Sequence, residues 1–401
     1  MTFCGWSTQN RDRLTIAVIG IGQIISWGTT YYLPAILAKP IMRDTGWGEQ
    51  AVIAMFSVAL LASGVVAPSV GRLIQRHGGA SIMAAGVALN ALGLTIMASA
   101  SVYAAYAFAW IVIGVGMAAS LYTAAFATIS QIIPLQARRA ITNITLWGGF
   151  ASTVFWPFGG LLLAHGTWRT VCIIYALILL FIVLPAYLIL LPRARSGHVR
   201  AEAADVAQAR APQPVPHPRT FAAFAGIIVF SAFVSASLSV FMIILLRNRG
   251  LDLTSATAVA ALLGPAQVAA RFCARAVAEK HHPLWILLVA VVLTGLGLGL
   301  LFGPSAWLAV SVIVYGAGQG LISIARGTVP LALFGTASYP LTVARLDRPA
   351  LIMQACAPFL ASLLYAALGL PGLLSVVLTA TLITVPVTLW LLSQQRRDAR
   401  A

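Results

Sequence analysis

Ala211-Pro212-Gln213-Pro214-Val215-Pro216-His217-Pro218 stands near the middle of a 401-residue chain and divides it. The stretch around it, 193–219, is rich in alanine, proline and charge. Such a run cannot bury a core and reads as a mobile linker. On both sides of it the chain changes character. Apolar residues make up 60% of the whole and charged residues 8%, with a mean hydropathy of +0.94. Soluble domains average about 45–50% apolar and about 25% charged. The chain therefore belongs to the membrane class.

A helix that crosses the bilayer needs about 20 predominantly apolar residues. By that rule six spans precede the linker, at 14–38, 50–71, 80–101, 104–128, 140–164 and 170–192. Six follow it, at 220–246, 253–274, 284–303, 305–326, 348–368 and 371–392. The expected fold is an all-α membrane protein with twelve transmembrane helices in two pseudo-repeated six-helix halves. The halves are 1–192 and 220–401, joined by 193–219 and ending in a short tail. Residues 1–13 are polar, and the first apolar run is too long for a signal-peptide core, so it is expected to be a span.

The net charge of +16 is read as topology rather than as a nucleic-acid footprint, because lysine and arginine collect on the cytoplasmic side. With the N-terminus inside, the outer side holds Lys39, Arg43, Arg169, Arg247 and Arg249, and the other 20 of the 25 basic residues lie inside. Both termini and the linker are thus expected in the cytoplasm, with a bacterial inner membrane as the setting. The four cysteines show no paired spacing, and neither a disulfide framework nor a metal site is indicated. No phosphate-cradling GxxxxGK[ST] run is present and no catalytic constellation is visible. The expectation is therefore a non-enzyme without a cofactor. Its partners would be the lipid bilayer, a small-molecule substrate and a coupling proton or counter-substrate, with no nucleic acid.

The halves repeat one another. Gly114 and Gly116 correspond to Gly316 and Gly318, Trp156-Pro157 to Ala357-Pro358, and Gln75-Arg76-His77 to Glu279-Lys280-His281, at offsets of 202, 201 and 204. Transporters built from repeats hold substrate near the bilayer midplane, at the interface of the repeats. Pro157 and Pro358 are expected to bend spans five and eleven, as hinge or gate sites or through packing alone. The turn Arg326-Gly327-Thr328-Val329-Pro330 is expected to end span ten as a loop anchor.

The arginine in Gly264-Pro265-Ala266-Gln267-Val268-Ala269-Ala270-Arg271 is the residue that points to function. A charge inside a span is costly and usually faces a partner, a cavity or a ligand. The competing reading is an arginine near the cytoplasmic end, snorkelling to phosphates. Its planar fork suits a carboxylate. Gln267 lies one turn before it on the same face, as a ligand group or a helix–helix bond. Gln23, Trp27 and Tyr31 share a face of span one, and Tyr122, Trp147, Gln319 and Gln354 are further lining candidates. No acid is read as paired inside a span.

Gly71-Arg72-Leu73-Ile74-Gln75-Arg76-His77-Gly78 resembles the loop motif between spans two and three of the major facilitator superfamily, and the six-plus-six count agrees with it. Gly71, Arg72, Arg76 and Gly78 are the gating residues this resemblance implies. Gln75 stands where the motif has an aspartate, and Gly79-Ala80 replace its basic residues. Within that superfamily the chain is similar to the monocarboxylate and oxalate–formate branch. The similarity lies in Tyr31-Tyr32-Leu33-Pro34-Ala35, Arg138-Arg139-Ala140, Gly148-Gly149-Phe150-Ala151 and the segment ending at Arg271. The resemblance implies that Arg271 binds a substrate carboxylate. Ala35 and Gln267 replace the lysine and aspartate that carry proton coupling in that branch. The expected function is secondary active transport of a small organic anion, most simply a monocarboxylate. The alternatives are an efflux carrier for amphiphilic drugs and a non-transporting membrane sensor or scaffold.

Overall fold

The structure is a computed structural model that describes residues 8–192, 218–278, 281–336 and 339–398. Most of the linker, 193–217, and the repeat residues Glu279 and Lys280 lie outside the described residues. Among the described residues the fold is all-helical. Eleven of its helical stretches are long and apolar enough to cross a membrane. The last of these, Tyr339–Arg397, holds the sequence-derived spans eleven and twelve. Its backbone leaves the helical range at Gly369, where φ is 67°. That left-handed value is one only glycine adopts without strain.

Several spans are broken rather than straight. The first consists of α1 (Thr8–Ser26), a π-turn (Trp27–Tyr31) and α2 (Leu33–Thr45). The second is α3 (Glu49–His77) and the third α4 (Gly79–Ser99). The fourth is α5 (Tyr103–Ser120) with α6 (Tyr122–Ile132), and the fifth is α7 (Ala137–Gly149) with α8 (Ala151–His165). The sixth is α9 (Trp168–Ile178), a second π-turn (Leu179–Val183) and α10 (Leu184–Leu190). After the linker come α11 (Pro218–Asn248), α12 (Leu253–Ala261) with α13 (Leu263–Ala278), and α14 (Pro283–Leu300). The chain ends with α15 (Leu308–Phe334) and α16 (Tyr339–Asp398). Residues 326–330 do not end span ten as expected. α15 continues through Pro330 to Phe334, as spanning helices can when neighbours satisfy the carbonyl that proline frees.

The helices gather into two compact units. One is Met1–Gln213 with Gly335–Arg348, the other Pro214–Phe334 with Pro349–Ala401. Each is built on close helix approaches at small residues, which replace the missing hydrophobic drive inside lipid. In the first unit a Cβ on Gly114 would strike the Ala59 backbone of α3, and one on Gly116 would strike Asn90 of α4. In the second, a Cβ on Gly316 would lie 3.0 Å from the Leu263 carbonyl, and one on Gly318 would lie 2.6 Å from the Thr294 amide nitrogen. The close approaches repeat with the sequence, since Ala59 and Leu263, and Asn90 and Thr294, are each 204 residues apart. The paired glycines thus do the same job twice.

Candidate functional site

In the first unit the candidate residues gather at the π-turn of span one. A π-turn widens the helix and often marks a functional position. Here it presents Trp27, whose ring centroid lies 4.8 Å from that of Tyr31 and 4.8 Å from that of Tyr122. Tyr31 meets Phe56 edge-on at 5.2 Å, and Tyr32 meets Trp156 at 5.9 Å. These tilted and edge-on geometries are those that aromatic quadrupoles prefer. Gln23 supports the cluster from below and is fully buried. Its Nε2 donates to the Ser120 carbonyl at 2.7 Å, and its Oε1 accepts from Trp27 Nε1 at 3.2 Å. The Ser120 carbonyl needs such a donor because α5 stops there, with Leu121 extended. Tyr122 is held by its hydroxyl, which donates to the Thr145 carbonyl at 3.3 Å. Trp147 lies against Gly20 of α1, where a Cβ would come within 2.6 Å of its ring.

In the second unit α13 carries Arg271, which is 7% exposed. Its Nε donates to the Gly320 carbonyl and its Nη2 to Gln267 Oε1, both at 3.4 Å. Gly320 makes the first bond possible by letting α15 approach α13. A Cβ there would be 2.5 Å from the Gln267 carbonyl. The same Gly320 carbonyl accepts from Ser323 Oγ at 2.6 Å. Gln319, the preceding residue, has a buried Nε2 with no hydrogen-bond acceptor. Gln354 is half-buried on α16. Counting back 204 residues from Arg271 and Gln267 gives Ala67 and Ser63, so the charge belongs to the second repeat alone.

The loop residues fall as follows. Gly78 ends α3 at φ 82°, a turn that requires glycine. A Cβ on Gly71 would lie 2.7 Å from the Pro340 carbonyl and 2.8 Å from Ala344 Cβ, at the start of α16. Arg72 and Arg76 are exposed. Arg72 Nη2 donates to Ser69 Oγ at 2.9 Å. Gln131 Nε2 donates at 3.1 Å to the Ile74 carbonyl, which also accepts from the Gly78 N–H at 2.9 Å. Pro157 is exposed in α8 and Pro358 half-buried in α16.

One residue corrects the expectation of no acid inside a span. Asp347 sits in the third turn of α16, is 2% exposed, and accepts a hydrogen bond from Thr123 Oγ1 of α6. The apolar window for span eleven begins one residue later. Tyr339, Val343, Leu346 and Ala350, all buried, recur at helical spacing, and that apolar spacing is the signal that would have extended it.

The model of the Major Facilitator Superfamily matches residues 19–335. The chain belongs to the major facilitator superfamily. It is therefore an integral multi-pass membrane protein with a transporter fold. No curated protein matches it in sequence. Among solved structures, it is similar to the human organic anion transporter MFSD10 (TETRAN). The identity is 14%, the TM-score 0.76, and the alignment covers 94% of this chain and 99% of that one. It is also similar to the superfamily transporter FucP in the outward conformation, at 14% identity and a TM-score of 0.73, covering 95% and 99%. The Escherichia coli fucose:proton symporter FucP, in a variant form, aligns at 14% identity and a TM-score of 0.68, covering 94% and 98%. At this identity the likeness is one of fold.

Proposed function

We propose that this protein is a secondary active transporter for a small organic anion, with Arg271 as the anion-binding charge and a monocarboxylate as the simplest substrate. The observation that carries the reading is the buried guanidinium of Arg271, oriented by Gly320 and Gln267. Both of those partners are neutral oxygens. The guanidinium offers five N–H donors in a planar fork, and a carboxylate fits that fork bidentately. The Gln319 amide, with its buried Nε2, adds a neutral donor on the neighbouring helix. One structural neighbour is an organic anion transporter and another a fucose:proton symporter. The fold accommodates both, so the choice between them rests on Arg271.

The test is thermal-shift screening of the purified protein against carboxylates, sugars and lipophilic cations, followed by uptake of any ligand that stabilises it. A carboxylate should raise the melting temperature of the parent and leave that of Arg271→Gln unchanged. Equal stabilisation of both proteins would remove Arg271 from the site.

A second reading is supported by the rings around Trp27. A platform of Trp27, Tyr31 and Tyr122 suits an amphiphile. It predicts stabilisation by lipophilic cations that persists in Arg271→Gln and is lost in Trp27→Ala.

A further inference from the structure

The loop motif at residues 71–78 lacks its aspartate, and Gln75 in its place is exposed. The end of α3 that carries the motif is nonetheless closely packed. Gly71 of α3 lies directly against Pro340 and Ala344, and the first turns of α16 group with the first compact unit as far as Arg348. From Pro349 onward the same helix groups with the second unit. Within these turns Asp347 is buried and accepts a hydrogen bond from the Thr123 hydroxyl. A buried carboxylate is tolerated only where donors meet it. The Thr123 bond therefore fixes the rotation of the helix as well as its position.

The structure assigns to Asp347 the role of anchor for the cytoplasmic start of α16. It is a positioning residue that ties the start of span eleven to span four. Thr123 is its receptor on α6. Pro349, two residues on, has no N–H to donate to the Arg345 carbonyl, so the turn from 345 to 349, which holds Asp347, is where the helix can bend. Breaking the Asp347 contact should therefore loosen residues 339–348 without unravelling the apolar remainder of the span.

The experiment is cysteine labelling of the full-length protein in inverted membranes, after replacing its four native cysteines by alanine. Val343→Cys places a thiol in the anchored segment, where the side chain is 1% exposed. Its modification by a water-soluble maleimide should be slow in the parent and at least tenfold faster with Asp347→Ala. Thr123→Val should act in the same direction. The double variant should react within twofold of Asp347→Ala alone, because Asp347→Ala has already removed the contact that Thr123→Val breaks. A cysteine at exposed Leu73 should react at the same rate in all variants, as a control for general unfolding. If Asp347→Ala does not accumulate, Asp347→Leu, which keeps the volume but offers no acceptor, and Thr123→Val give the same comparison. Unchanged labelling of Val343→Cys in Asp347→Ala, or additive effects of the two substitutions, would overturn the assignment. So would a rise at Leu73 equal to that at Val343.

Discussion

Arg271 and Asp347 are the charged side chains buried among the described residues, and they differ in how they could be found. Arg271 stands out because an apolar helical run surrounds it. Arg271→Lys keeps the charge but loses the fork, so anion binding should weaken while insertion is unchanged. Arg271→Gln should lower anion uptake by about 10- to 100-fold, the worth of a charge-assisted hydrogen-bond set. Quantified blots should show the folded amount within twofold of the parent. Parent uptake kinetics in Arg271→Gln would make the residue an interfacial one. Asp347 was hidden by its neighbours, since Arg345 and Asp347 itself kept the apolar window from starting before 348. The helix in fact begins at Tyr339, and both arginines are exposed while Asp347 is buried. The role of Gln23 was likewise beyond periodicity. That it shares a face with Trp27 could be read from spacing. That Ser120 would need a donor could not, because the break between α5 and α6 has no proline to announce it.

At the scale of elements, hydropathy located the membrane-spanning stretches well, because composition alone decides what lipid will accept. The two π-turns and the split of spans one, four, five, six and eight escaped it. Such breaks are set by which neighbour supplies a hydrogen bond, and that is a long-range fact. The connections hold another feature that spacing could not show. Arg169, at the start of α9, pairs with Asp44 at the end of α2, donates from Nη2 to the Ala100 carbonyl at 3.1 Å, and stacks over Trp168 at 4.3 Å. Trp168 Nε1 also donates to Asp44, at 2.9 Å. Three connections are thereby tied at one end of the first unit. The pair is more than a third exposed on both sides, so the ion pair contributes little and the shared carbonyl and indole contribute most. Arg169→Ala should lower the melting temperature in detergent by a few degrees. Arg169→Lys should recover less than half of that loss, since a lysine cannot hold the fork. Full recovery by lysine would mean that charge alone matters there.

For the whole molecule, the bias of basic residues argues for both termini and residues 193–219 in the cytoplasm. Cysteines introduced at 205 or 213 should react with an impermeant maleimide only after the cells are opened. Labelling of intact cells would reverse the orientation. Energetic coupling is also a property of the complete chain. Ala35 and Gln267 offer no titratable group at the two positions where the similar branch carries one. Counterflow of labelled against unlabelled substrate should therefore survive a membrane-permeant proton carrier. Strict one-for-one proton uptake would contradict this and would turn attention to Asp347.

The first compact unit takes in residues 335–348 from far along the chain. During synthesis, the surface around Gly71 is therefore made long before the segment that covers it. All the spans between them must clear the ribosome while that surface waits. The order of manufacture and the order of completion differ for this unit. A chain stalled before residue 335 would present to the insertion machinery a first half that is fully translated and still unfinished.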